Sequence, residues 1–244
     1  TGAGGFVAPR SFITGDGPAA VLAADFNGDN RADLVSADAI SDDVAILRAD
    51  GTGYTSARRF AAGDRPTWLL TGDFNGDGKR DLAVSNAFAK TVSILDGDGV
   101  GRFALPRNMP GGDPPLMLAA ADLNDDGALD LVTADQYSNT LSILAGDGSG
   151  GFAAAQALPA GPSPYAIATG DFDGDGHPDL AAALYDADSV AVFLNRSADR
   201  DTDGVPDGDD NCPGQPNPDQ VDGDSDGAGD ACDNCAPLAN PDQA

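Results

Sequence analysis

The sequence contains no glutamate: all 40 of its acidic residues are aspartate. Helix surfaces use glutamate freely, whereas aspartate favours caps, turns and ligand loops, so the composition argues against a helical architecture. Basic residues are scarce, 13 against those 40, and the formal net charge is −27. No basic patch is available to displace counterions from nucleic acid or to meet an anionic membrane. No apolar run approaches the ~20 residues needed to span a bilayer. There is one histidine, one tryptophan and three cysteines. What is abundant is glycine, at 32, and proline, at 17, the mark of a turn-rich β protein. The 244 residues suffice for one large or two smaller domains with a real core. The preference for Arg over Lys points to a GC-rich bacterial genome.

Four stretches repeat: "DFNGDNRADL" from Asp25, "DFNGDGKRDL" from Asp73, "DLNDDGALDL" from Asp122 and "DFDGDGHPDL" from Asp171. Short β-like runs keep the same step: "DVAIL" at 43, "TVSIL" at 91, "TLSIL" at 140 and "SVAVF" at 189. Gly-rich hairpin tips such as "GDGVGRF" and "GDGSGGF" follow. Each unit reads as four short strands; in the second copy they fall near 67–73, 81–87, 90–96 and 102–108. Four strands per ~45–50 residues predict β-propeller blades, with a β-solenoid or β-sandwich as the other options. The fold class expected is therefore all-β, with about four blades over residues 1–195. The first unit starts with only a fourth strand near Phe6–Ile13, and the last ends after a third near Leu194. Those ends could close a four-blade ring. The opening "TGAGGFVAP" repeats the interior "GSGGFAAA", which favours a cut from a longer array.

The repeated loops carry oxygen side chains at positions 1, 3, 5 and 9. The sets are Asp25, Asn27, Asp29, Asp33; Asp73, Asn75, Asp77, Asp81; Asp122, Asn124, Asp126, Asp130; and Asp171, Asp173, Asp175, Asp179. Position 7, occupied by Arg31, Lys79, Ala128 and His177, can add a backbone carbonyl. Glycine at position 6 permits the sharp turn, and Asn30, its replacement in the first copy, tolerates positive φ. So many carboxylates in one small loop repel each other unless a hard cation joins them. Ca²⁺ fits an all-oxygen set; zinc would want His or Cys, and Mg²⁺ rarely uses all-protein cages. Position 12 is Ser36 or Val84 where an EF-hand needs Glu, and the flanks read as strands, so these are not EF-hands.

After Asn195 the apolar residues nearly vanish, and residues 196–244 form a second unit. Asp199, Asp201, Asp203, Asp207 and Asp210 stand at positions 1, 3, 5, 9 and 12, with Val205 at 7. Asp222, Asp224, Asp226, Asp230 and Asp233 repeat the ladder, with Ala228 at 7. With no core to offset ordering entropy, this tail needs bound ions, about six or more counting all loops. Coreless segments with cysteine rely on disulfides in oxidising compartments. The expected pair is Cys212 with Cys232, leaving Cys235 for a partner elsewhere; a zinc site at Cys232-x-x-Cys235 lacks a second pair.

The pattern "GDFNGDG..DL" at 72–82 and 170–180 resembles FG-GAP/VCBS-type repeats. "DTDGVPDGDDNCPGQPNPDQVDGDSDGAGDACD" resembles thrombospondin type 3 repeats. The first resemblance implies β-propeller blades with Ca²⁺ between the first and second strands. The second implies a Ca²⁺-wrapped tail in which Asn217 and Asn240 are further ligands. Together they imply a secreted or cell-surface scaffold, often adhesive, with a protein or glycan partner. No catalytic constellation is legible. His177 sits at a carbonyl position, and calcium-bound carboxylates make poor general acids. The other readings are a glycan-binding propeller, with Trp68, Tyr165 and Phe88 as stacking aromatics, or an accessory region of a secreted enzyme. Single aromatics in such strands are expected in the core, Trp68 above all.

Overall fold

The computed structural model describes residues 5, 7–195, 205, 210–212 and 214–235. Fifteen strands form four antiparallel sheets, and no α-helix occurs among the described residues. The first sheet holds β1 (Pro18–Ala24), β2 (Asp33–Asp38), β3 (Asp43–Leu47) and β4 (Arg58–Ala61). The second holds β5 (Pro66–Gly72), β6 (Asp81–Asn86), β7 (Thr91–Leu95) and β8 (Arg107–Pro110). The third holds β9 (Pro115–Ala121), β10 (Asp130–Asp135), β11 (Thr140–Leu144) and β12 (Gln156–Pro159). Among the described residues the fourth holds β13 (Pro164–Gly170), β14 (Asp179–Leu184) and β15 (Ser189–Phe193), with a 3-10 turn at Tyr185–Ala187. In every sheet the strands pair in sequence order, as in propeller blades.

Burial explains the strand sequences. The second and third strands of a blade are covered on both faces, so runs such as "DLAVSN" and "TVSIL" are buried almost throughout. Fourth strands are outermost and polar, and only Phe60, Met109 and Leu158 turn inward. Three apolar clusters stand between neighbouring sheets. Val44 and Ile46 meet Leu69 and Leu82; Val92 and Ile94 meet Leu118 and Leu131; Leu141 meets Ile167 and Leu180. No such cluster joins the first sheet to the last among the described residues, so the four blades do not close a ring. Phe103, from the hairpin before β8, packs edge-on against Phe26 and Phe60, both at 5.4 Å.

Three expectations are corrected. The fourth strand of the second copy begins at 107, because Asp98 N–H to Arg102 O and Ala104 N–H to Asp96 O spend the preceding residues on a hairpin tip. Residues 7–14 form no strand, having no third strand beside them. Trp68 is 38 % exposed: Leu69 takes the inter-blade face, so its neighbour points the other way. Phe88 and Tyr165 are also exposed. No helix of the described residues is long and apolar enough to cross a membrane.

Asp38, Asp43 and Asp135 are buried outside the repeated loops. Asp135 is fully enclosed and accepts hydrogen bonds from Thr133 Oγ1 and Ser142 Oγ, both at 2.6 Å. Burial pushes its carboxyl above the ordinary value, opposed by those hydroxyls. A carboxyl whose folded pKa is raised contributes stability below its unfolded pKa and loses it as pH rises through the folded one. Asp135→Asn should therefore flatten the fall in melting temperature as the pH rises above the ordinary aspartate range of about 4. A pH series of thermal melts of both chains checks this; parallel curves would contradict it.

Candidate metal centre

The loops between the first two strands of each blade are built alike. In the second blade Asp73 Oδ1 accepts the Asp77 N–H at 3.1 Å, and its Oδ2 accepts the Gly78 N–H at 2.8 Å. Asn75 Oδ1 accepts the Asp77 N–H at 2.9 Å, and Asp77 Oδ1 accepts the Lys79 N–H at 2.9 Å. Each oxygen side chain is thus tied to an amide two to five residues on, which coils the loop around its own acids. Asp122, Asn124 and Asp126 repeat these bonds, and so do Asp171, Asp173 and Asp175 except that Asp171 Oδ1 takes the Gly174 amide at 2.6 Å. In the first blade Asp25 gathers the amides of Asn27, Gly28, Asp29 and Asn30, Asn27 Oδ1 takes the Asp29 amide, and Asp29 Oδ1 takes that of Arg31. Position 6 is left-handed in every copy: Asn30 at φ 61°, Gly78 at 77°, Gly127 at 85° and Gly176 at 92°.

Asp171, Asp173 and Asp175 each offer a carboxylate oxygen, all within 4.8 Å of one another. In the other three loops asparagine takes the middle place. Lys79 Nζ reaches Asp77 Oδ2 at 2.8 Å and, first among its causes, holds that carboxyl below its ordinary range. His177 Nδ1 lies 2.6 Å from Asp125 Oδ2 of the neighbouring blade, so its ring bridges two loops.

The position-9 aspartates have a role that spacing does not reveal. Asp33, Asp81, Asp130 and Asp179 open β2, β6, β10 and β14 and are at most 1 % exposed. Each accepts two backbone amides, one from its own loop and one from just beyond the third strand. Asp81 takes Phe74 N–H at 3.1 Å and Gly97 N–H at 2.7 Å. Asp33 takes Phe26 and Ala49, Asp130 takes Leu123 and Gly146, and Asp179 takes Phe172 and Asn195. They pin the loop to the sheet. The signal for this was the unbroken Asp-Leu at every copy, but the second partner lies 16 residues on, in another strand.

In the tail, Asp222, Asp224 and Asp226 also bring carboxylate oxygens within 4.8 Å. Asp222 accepts the Ser225 and Gly227 amides, Asp226 that of Ala228, and Asp230 that of Gly223. Both oxygens of Asp224, and one each of Asp210 and Asp233, are enclosed without a hydrogen-bond partner. Desolvation, then the charges of Asp226, Asp233 and Asp222, push the Asp224 carboxyl up. Enclosed anionic oxygens with no donor facing them suit a cation and little else. Asn217 is buried, its amide 2.6 Å from Asn211 Oδ1. A disulfide joins Cys212 to Cys232, with the Cα atoms 5.6 Å apart, and Cys235 is free. Asp199, Asp201, Asp203, Asp207 and Asn240 lie outside the described residues.

No curated protein matches the chain. Among solved structures, BBS1N in complex with ARL6DN is similar at TM-score 0.52 and 17% identity, over 75% of this chain and 58% of that one. An Agrocybe aegerita lectin that recognises non-reducing terminal N-acetylglucosamine is similar at 0.51 and 21% identity, over 72% and 49%. A functionally unknown protein from Desulfotomaculum acetoxidans is similar at 0.50 and 14% identity, over 71% and 56%. The likeness is one of propeller-like fold, and the chain spans about half of each structure's length. The FG-GAP-like repeat family matches three overlapping stretches, residues 25–84, 73–133 and 122–182, each running from one acid loop into the second strand of the next blade. The chain belongs to the FG-GAP-like repeat family.

Proposed function

We infer that the chain is a calcium-holding scaffold of a secreted or cell-surface protein, adhesive rather than catalytic. The observation that carries this reading is the set of enclosed, donorless carboxylate oxygens of Asp224 and Asp233 in and beside the Asp222–Asp226 cluster. Four blade loops with inward-coiled acids support it. Bound Ca²⁺ would supply positive charge and six to eight oxygen-coordination places, locking each loop. In the blades the holders would be the side chains at positions 1, 3 and 5 with the carbonyl at 7. In the tail they would be Asp222, Asp224, Asp226, Ala228 O and Asp233. Residues 1–195 would then be the propeller unit and 196–244 a thrombospondin type 3-like unit. The disulfide suits an extracellular setting.

Calorimetric titration of the chelator-stripped chain with calcium tests the reading. Several equivalents should bind, with dissociation constants near or below about 1 mM. No heat and no bound calcium at about 10 mM would overturn it. A second reading, glycan binding, is favoured by the exposed Tyr165–Tyr185 ring pair at 6.0 Å and by Phe88 under Arg65 at 4.4 Å. Retention on immobilised polysaccharide, lost on Tyr185→Ala, would support it.

A further inference from the structure

Asparagine precedes glycine twice in the chain, at Asn27-Gly28 and Asn75-Gly76, each time at positions 3 and 4 of a repeated loop. The third blade has Asn124-Asp125 there, and the fourth has Asp173-Gly174. Asparagine is a labile residue, and most so before glycine. With no side chain on the following residue, its backbone nitrogen can reach the asparagine side-chain carbonyl carbon.

The fold demands glycine at 76. Gly76 is left-handed, at φ 72°, and the hairpin tip of the third blade lies over it: a Cβ there would stand 3.0 Å from Gly148 O. A Cβ on Gly150, in the same tip, would stand 3.2 Å from Asn75 Cβ. Gly28 is also left-handed, at φ 76°, but a Cβ on it would meet nothing within 4 Å. The close approach of two blades therefore maintains the labile pair in the second loop. Gly76 and Asp77 are exposed and Asn75 is half-buried, so solvent reaches the reacting atoms.

The two pairs differ at the nitrogen that would attack. Gly28 N–H donates to Asp25 Oδ1 at 2.8 Å. A carboxylate so bonded keeps the amide proton in place and opposes the negative charge left when it departs. In the second blade Asp73 gives its oxygens to the amides of Asp77 and Gly78, and Gly76 N–H has no hydrogen-bond partner among the described residues. Asn75 Oδ1 accepts the Asp77 N–H at 2.9 Å, so a donor already faces the oxygen on which charge gathers during attack. Asn27 Oδ1 has the same donor, Asp29 N–H at 3.0 Å. The nitrogen, not the carbonyl, sets the two loops apart.

We propose that Asn75 is a site of spontaneous deamidation and that Asn27 is protected from it. The Gly76 nitrogen gives its proton to solvent and bonds to Asn75 Cγ, closing a cyclic imide. The bond from Cγ to the side-chain nitrogen breaks, and that nitrogen leaves as ammonia with a proton returned from solvent. One water then opens the ring at either carbonyl, giving aspartate or isoaspartate; nothing is oxidised or reduced. The aspartate product carries acids at positions 1, 3 and 5, the set that Asp171, Asp173 and Asp175 form in the fourth blade. The isoaspartate product lengthens the main chain by one methylene where the third blade's tip rests on the loop, and so disturbs that contact.

Peptide mapping by mass spectrometry tests this on the full chain, incubated without calcium below its melting transition. Asn75 should convert at least about fivefold faster than Asn27, the cost of surrendering the Gly28–Asp25 hydrogen bond. Isoaspartyl methyltransferase should label the second loop. In urea the rates should converge, because the segments Asp25–Asp29 and Asp73–Asp77 are identical in sequence and differ only in their folded bonds. Equal rates in the folded chain, faster conversion at Asn27, an intact Asn75 where the urea-unfolded chain reacts, or a rate ratio that persists in urea would overturn the proposal.

Discussion

Asp81→Ala should lower the unfolding free energy by about 3 kcal/mol or more in the absence of calcium. The carboxylate is fully buried at the start of β6. Removing it strands the amides of Phe74 and Gly97, and each enclosed donor left without a partner costs about 1–3 kcal/mol. Burial raises the Asp81 carboxyl, against those two amides, so the residue is held there by the bonds it receives. Asp77→Ala is the contrast. Asp77 is exposed and its ties are to Lys79, so its loss should leave stability without calcium nearly unchanged while weakening calcium binding. Urea titrations in EDTA separate the two. Equal stability of both variants would mean that position 9 is only a ligand and not an anchor.

Stripping calcium with EDTA should lower the melting temperature by at least about 10 °C and abolish the ordered signal of the tail first. A site held at a hundred times its dissociation constant contributes about 2.7 kcal/mol, so a few such loops suffice for that shift. The tail suffers most because Asp222, Asp224 and Asp226 crowd within 4.8 Å and no apolar cluster lies among the described residues there. The Cys212–Cys232 link keeps its two turns joined when the ions leave. High sodium chloride should restore part of the loss by screening, and calcium all of it. Identical melts in EDTA and in calcium would remove the basis of the functional reading.

How far the site could be read beforehand depends on the residue. Positions 1, 3, 5 and 6 of each loop were legible because their bonds run to amides within five residues, and Asn30 takes the positive φ its chemistry permits. Positions 9 were legible as acids but not as anchors, since Gly97 and Gly146 reach them from another strand. Trp68 misled because a run of apolar letters does not say which face meets a neighbour. Leu69 took that face.

By itself the sequence determined the all-β class, the four-strand unit and the acid loops. These follow from local periodicity and short spacing, which every copy repeats. Only the tertiary structure decided which carboxylates are pinned by amides and which are left facing each other, that the fourth strand starts late, and that Val21 and Val190 stay exposed where their counterparts in the other blades are buried. Those features depend on how far each blade turns against the next, a sum over many side-chain contacts that no single repeat encodes.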